Sequence, residues 1–244
     1  MLKITVTPLN LILTAAVAVV MFKALETETG VDVHGRTVTL SAAVGEDSSK
    51  AVAEALDTLE HKNKKPILLK IESPGGSVMD GREVMEEIRS SSVQVNTITT
   101  NYAMSMGMDF LLMGKERFAT PDALGMIHRG SAGDVSYAVL KAQLHHLEGL
   151  APASSAEAIN LKGAIEQLRS TVEILDKLFE PTFNKLAEIR KTLKDPKALD
   201  SIVDALKDGD RDIFLTAEEM LEAGIVTQIV NSVEEAEKIT NEGR

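Results

Sequence analysis

Apolar and polar positions along this chain fall into blocks whose period switches between strand-like and helix-like runs. Thr37–Leu40 is a short β-prone segment, and residues 48–59 carry Ala51, Ala55, Leu56 and Leu59 at helical spacing behind Ser48 or Ser49 as an N-cap. Residues 66–71 read as a buried strand that stops at Ser73-Pro74-Gly75-Gly76, a turn by composition. Residues 80–89 are helical again through Val84, Met85 and Ile88, residues 93–99 form a strand, and residues 105–113 form an apolar helix that breaks at Gly114. The repeated strand–helix order predicts an α/β fold: a mainly parallel sheet with helices on its faces. In such sheets reactive groups gather at the carboxyl ends of strands, where both the Gly-Gly turn and Ser105 fall.

Residues 133–206 follow a different rule. Val139, Leu144 and Leu147, then Ile165, Leu168, Val172, Leu175 and Leu178, recur at three- to four-residue steps among charges, so long helices with solvated faces are expected, with a break at residues 151–155. Residues 213–215 and 225–230 supply late strands around a helix at 217–223, and the tail after Ser232 is polar. At the other end, residues 9–22 are apolar and flanked by Lys3 and Lys23. This run falls short of the roughly 18–20 residues that span a bilayer. A buried or subunit-contacting helix, a membrane anchor and an export signal all compete for it, although the cleavage pattern beyond it is poor.

Composition narrows the chemistry. The 244 residues include six Phe, two Tyr and no Trp, so the core is built from aliphatic residues and the ten Met. A net charge of −11 without a dense basic run argues against a nucleic-acid partner. The absence of cysteine removes disulfides, thiolate metal sites and a Cys nucleophile together.

Three features could carry chemistry. Ser105 stands where a β-prone segment passes into an apolar helix, a place where free N–H groups and the helix dipole favour developing negative charge; on this segment alone it reads first as an ordinary N-cap. Gly75-Gly76 allows positive φ and lets a backbone N–H face an oxyanion, and taken in isolation it reads first as a plain tight turn. His128 closes Gly125-Met126-Ile127 at an expected strand end, as a base or as a structural histidine. His34, His61, His145 and His146 form no metal-ligand spacing, so neither metal nor organic cofactor is expected.

Taken in order, these elements form a pattern: Ser73-Pro74-Gly75-Gly76-Ser77, then Tyr102-Ala103-Met104-Ser105-Met106-Gly107, then GKERFATP at 114–121, then Met126-Ile127-His128. Ser73 and Ser105 are 32 residues apart, and His128 follows Ser105 by 23. This order resembles the proteolytic subunit of the Clp protease, the ClpP family within the crotonase-like fold. The likeness covers about residues 36–135 well, and 204–231 moderately through Phe214-Leu215-Thr216-Ala217 and Ala223-Gly224-Ile225-Val226.

The resemblance implies repeated β-β-α and βα units around a mainly parallel sheet, with an apolar extension at 1–30 and a peptidase domain at 31–244. It implies a serine endopeptidase acting on protein or peptide substrates, with Ser105 as nucleophile, His128 as base and the N–H groups of Gly76 and Met106 as oxyanion hole. The triad acid falls at Asp208 by the same alignment, in a stretch crowded by Asp204, Asp210 and Asp212. A homo-oligomeric ring, a heptamer in the family, and an unfoldase ATPase are the implied partners, with a cytoplasmic location unless residues 9–22 anchor or export the chain.

The sequence departs from the family in three places. The interval from His128 to Asp208 is longer by about thirty residues, which reads as a helical insertion at about 135–203. Asp109 stands four residues after Ser105, where the family has an apolar or small residue. The apolar N-terminus replaces a short axial loop. These departures fit a phage-encoded or membrane-associated relative. They keep three other readings in play: a crotonase-like acyl-CoA enzyme, a membrane peptidase with a Ser/Lys dyad, and an inactive assembly subunit.

Overall fold

The computed structural model describes residues 29–133, 135–152, 154–209 and 211–242, so the apolar run at 9–22 lies outside the described residues. In chain order the elements are β1 (Val31–His34), β2 (Thr37–Leu40), α1 (Glu46–Lys62), β3 (Ile67–Ile71), α2 (Val78–Ser90), β4 (Val95–Thr99), β5 (Tyr102–Met104), α3 (Met106–Met113), β6 (Arg117–Ala119) and β7 (Leu124–Ile127). There follow a two-stranded hairpin of β8 (Ser131–Ala132) and β9 (Val135–Ser136), then α4 (Tyr137–Glu148), α5 (Ser155–Thr192) and α6 (Lys197–Asp208). The chain closes with β10 (Ile213–Thr216), α7 (Ala217–Glu222), β11 (Gln228–Ile229) and α8 (Val233–Glu242).

The fold is the expected mixed α/β class. Six strands in the order β1-β2-β3-β4-β6-β11 form the main sheet, parallel throughout except for the β1–β2 hairpin. A smaller sheet, β10-β7-β5, pairs β7 parallel to β5 and antiparallel to β10. β3 explains itself: in Ile-Leu-Leu-Lys-Ile every residue but Lys70 is buried, as a strand covered on both faces requires. β4 is buried along its whole length despite Asn96, Thr97 and Thr99. Two of these are satisfied locally, with Thr97 Oγ1 donating to the Leu111 carbonyl (2.7 Å) and Asn96 Nδ2 to Thr240 Oγ1 (2.9 Å).

Thr240 belongs to α8, a helix where the sequence shows only a polar tail. Its glutamates dominate the composition, yet Ala236 and Thr240 form a buried stripe against the sheet, and Ser232 Oγ accepts from the Glu235 amide at its start. α1 also differs at its start. It begins at Glu46 with Gly45 as N-cap, and Ser48 sits three residues in, where its hydroxyl accepts from the Gly45 amide (3.0 Å).

The helical stretch consists of α4, the 38-residue α5 with Pro181 inside it, and α6. Leu186 and Ile189, in the C-terminal half of α5, join the main core beside α3 and α7 residues. Its N-terminal half packs instead on α4 in a separate small cluster of Tyr137, Leu140, Val172 and Leu175. Among the described residues no helix is long and apolar enough to cross a membrane.

Candidate active site

β5 ends at Met104 and α3 begins at Met106, so Ser105 is the whole corner between them. Its φ of +50° with ψ of −123° makes it the one non-glycine residue with positive φ among the described residues. L-residues rarely adopt such angles, and they persist only where the surroundings impose them. Here the imposition is visible on both sides. The Met104 amide donates to the Ser73 carbonyl (3.0 Å) and the Ser105 amide to the Met126 carbonyl (2.9 Å). The Ser105 hydroxyl makes no cap bond to α3 although it occupies the N-cap position. Oγ lies instead 2.7 Å from Nε2 of His128. The ordinary-cap reading of this serine is therefore not what the structure contains.

The Ser73–Gly76 turn is packed directly against this corner. A Cβ on Gly75, at φ +89°, would stand 2.5 Å from the Ser105 Cβ and 2.6 Å from the Met104 carbonyl oxygen. One on Gly76, at φ +148°, would strike the Val44 carbonyl oxygen at 2.2 Å. Both glycines are thus demanded by close approach as well as by conformation. The turn is held by bonds from the Val44 amide to the Gly75 carbonyl, from the Ser77 amide to the Val44 carbonyl and from the Gly75 amide to Ser73 Oγ. None of these bonds uses the N–H of Gly76 or of Met106.

His128 follows β7 and presents its second nitrogen to a carboxylate, with Nδ1 3.1 Å from Oδ1 of Asp212. The expected acid, Asp208, is not the residue at this position. It is the exposed last residue of α6, and Gly209 at φ +67° caps that helix in the left-handed conformation. The turn at Gly209 ends the helix and does not aim Asp208 at the histidine. A side chain at Gly209 would also meet the Tyr137 ring at 2.6 Å. What brings Asp212 to His128 is sheet register. β10 runs antiparallel to β7 with Ile213 opposite Ile127, so the residues just outside that pair, Asp212 and His128, are neighbours. The hydrogen bond from His128 holds the Asp212 carboxyl below its ordinary range against the opposing effect of partial burial. Asp210 lies outside the described residues.

Two further groups border this site. Arg129, buried beside His128, donates to Asp176 of α5, and its guanidinium lies 4.0 Å from the centre of the Tyr137 ring. Tyr137 donates its hydroxyl to the same Asp176 oxygen (2.7 Å), so β7, α4 and α5 are tied at one point. Burial first, and then the bond to Asp176, push the Tyr137 hydroxyl up to about 12. Asp109 lies one turn into α3, only 7% exposed, and Thr182 Oγ1 of α5 donates to its Oδ1 (2.8 Å). Burial raises its carboxyl to about 7, against the lowering effects of Thr182 and of His128. Ser105, Asp109 and His128 share one small cavity with Val78, Gly130 and the α5 residues Leu175, Leu178 and Phe179.

Among the described residues no group of three or more His, Asp or Glu could hold a metal ion. What the arrangement offers is a hydroxyl, an imidazole and a carboxylate in a line of hydrogen bonds beside a glycine turn, on an α/β scaffold.

Known proteins share this arrangement of elements. A family model described as Clp protease matches residues 28–147. The ATP-dependent Clp protease proteolytic subunit 1 of Protochlamydia amoebophila is 31% identical over 205 residues, covering 83% of this chain and 84% of that protein. The protein of the same name from Streptomyces avermitilis is 30% identical over 204 residues, covering 82% of this chain and 77% of its own length. The solved structure of a ClpP1 mutant from Listeria monocytogenes matches with a TM-score of 0.51 at 22% identity, over 82% of this chain and 93% of that one, a likeness of fold. The chain belongs to the Clp protease family.

Proposed function

We propose that this protein is a serine endopeptidase in which Ser105, His128 and Asp212 act as one unit. The observation that carries the reading is the diversion of the Ser105 hydroxyl from its helix to His128 Nε2 at 2.7 Å, with Nδ1 of the same ring on Asp212 at 3.1 Å. Ser105 Oγ attacks the carbonyl carbon of the scissile peptide bond while its proton passes to His128 Nε2. The carbonyl oxygen becomes an oxyanion and accepts from the N–H groups of Gly76 and Met106, the second at the start of α3 where the helix dipole adds to its effect. Collapse breaks the C–N bond, and the leaving nitrogen takes the proton from His128. Water then attacks the Ser105 ester, giving one proton to Nε2, which returns it to Oγ as the acid departs. Asp212 remains ionised throughout and fixes the imidazole tautomer.

The family further supports a homo-oligomeric ring, with a heptamer as the reference, and an unfoldase ATPase as partner in the cytoplasm. The peptidase domain runs over residues 31–244, with the helices of residues 135–203 as its added part.

A fluorophosphonate probe tests the central reading. The purified protein is expected to take one adduct, at Ser105, and the Ser105→Ala variant is expected to take none and to lose peptide hydrolysis. An adduct on another serine, or full hydrolysis in Ser105→Ala, overturns the assignment. Light scattering on the same sample should give a multimer; a monomer at micromolar concentration sinks the ring.

A further inference from the structure

We infer that Asp109 makes the side-chain pocket beside Ser105 selective for a cationic residue, lysine foremost, on the acyl side of the scissile bond. The inference rests on the peptidase reading of Ser105 and names the substrate class of that site.

Asp109 follows Ser105 by four residues on α3, so the two lie on one helix face, about 6 Å apart along the axis. That separation is close to the reach of a lysine side chain. The cavity they share has apolar walls, Val78 from α2 and Leu175, Leu178 and Phe179 from α5, suited to a chain of methylenes. Asp109 is part of its lining, a carboxyl that accepts from Thr182 at Oδ1 and, among the described residues, has no hydrogen bond at the other oxygen. A carboxylate ionised at a position only 7% exposed costs free energy that an incoming ammonium group would recover. Charge complementarity of this kind, in a pocket beside the nucleophile, sets side-chain preference in serine peptidases generally.

The other charged groups around the cavity do not supply that match. Arg129 lines it, but its guanidinium is held by Asp176 and stacked on Tyr137. His128 faces Ser105 and Asp212. The free space is about 20 Å³, room for about one water, so the inference requires Leu175, Leu178 and Phe179 to give way to a substrate side chain. With its carboxyl raised to about 7, Asp109 gains its charge as pH rises through neutrality, and the cationic preference should strengthen from pH 6 to pH 8.

The test is kcat/KM for peptides that differ only in the acyl-side residue (Lys, Arg, Leu or Glu), measured on the wild type, Asp109→Asn and Thr182→Val. Fluorophosphonate labelling of the wild type is run in parallel. At pH 8 the wild type should prefer Lys to Leu by about 30-fold or more. Asp109→Asn keeps the shape and the acceptor for Thr182, and should bring the Lys/Leu ratio to about one or below. Thr182→Val keeps the charge, and should keep the preference. Labelling at Ser105 with no Lys preference overturns this inference alone, as does a preference that survives Asp109→Asn or is lost equally in Thr182→Val. Failure to label at Ser105 brings down the peptidase reading and this inference with it.

Discussion

The sheet with its first three helices and the α4–α5 pair are built to different standards. In α3 every residue except Met113 is buried, and β3 and β4 are enclosed on both faces. Along α4 and the first half of α5, by contrast, Val139, Ile159 and Ile174 are exposed. Surface ion pairs such as Lys162–Glu166 and Glu148–Arg169 decorate that region, contacts worth little in water. The contrast explains why the Ser105 corner lies where it does. Ser105 is held in an unfavourable conformation, and only surroundings that leave no alternative can hold it there. The α4–α5 pair contributes to the site where it touches the body, through Tyr137, Leu175, Asp176, Leu178, Phe179 and Thr182.

The contrast can be broken or sharpened by substitution. The largest effect is expected within the line of hydrogen bonds: Asp212→Asn should lower kcat by up to about 10⁴-fold, because the wrong imidazole tautomer is favoured. Asp208→Asn, at an exposed helix end, should stay within about twofold. Peptide turnover of the two variants side by side decides it, and equal losses would mean that register is not what selects the acid. Next, Leu69→Ala, at a position 0% exposed, should cost about 2–5 kcal/mol in denaturant unfolding. Ile159→Ala, 73% exposed on α5, should change stability by less than about 0.5 kcal/mol. Comparable losses would show that the two regions are equally packed.

A smaller effect is tied to pH. Because burial raises Asp109 to about 7, the folded protein binds that proton more tightly than the unfolded chain does. The associated stability is fully present below the unfolded carboxyl pKa near 4 and is lost as pH rises through about 7. Asp109→Asn should therefore be more stable than the wild type at pH 8, by on the order of 3 kcal/mol, and the advantage should vanish at pH 4. Melting temperatures at the two pH values measure it. An advantage of equal size at both would refute a titrating group.

Much of this is legible in the sequence. The strand–helix alternation, the Gly-Gly turn and the pair Ser105 and His128 could be read because each is local: a few adjacent residues carry the conformation and the chemistry together. The carboxylate that meets His128 could not be read by counting along the chain, since helix length and cap chemistry decide where Asp208 lies, and the left-handed turn of Gly209 closes α6. A usable signal was nevertheless present. Asp212 directly precedes one apolar β-prone run and His128 directly follows another, and antiparallel pairing of the two makes them neighbours. Thr182 and Arg129 left no comparable trace, because their partners Asp109 and Asp176 are 73 and 47 residues distant and meet them only through packing of α5. α8 was hidden by composition, its two buried positions outnumbered by glutamates.

The positive φ at Ser105 gives the chain an evolutionary asymmetry. Glycine tolerates that conformation at no steric cost, whereas every L-residue is strained there. A lineage released from selection at this one position could drift to glycine and gain robustness while losing the hydroxyl that meets His128.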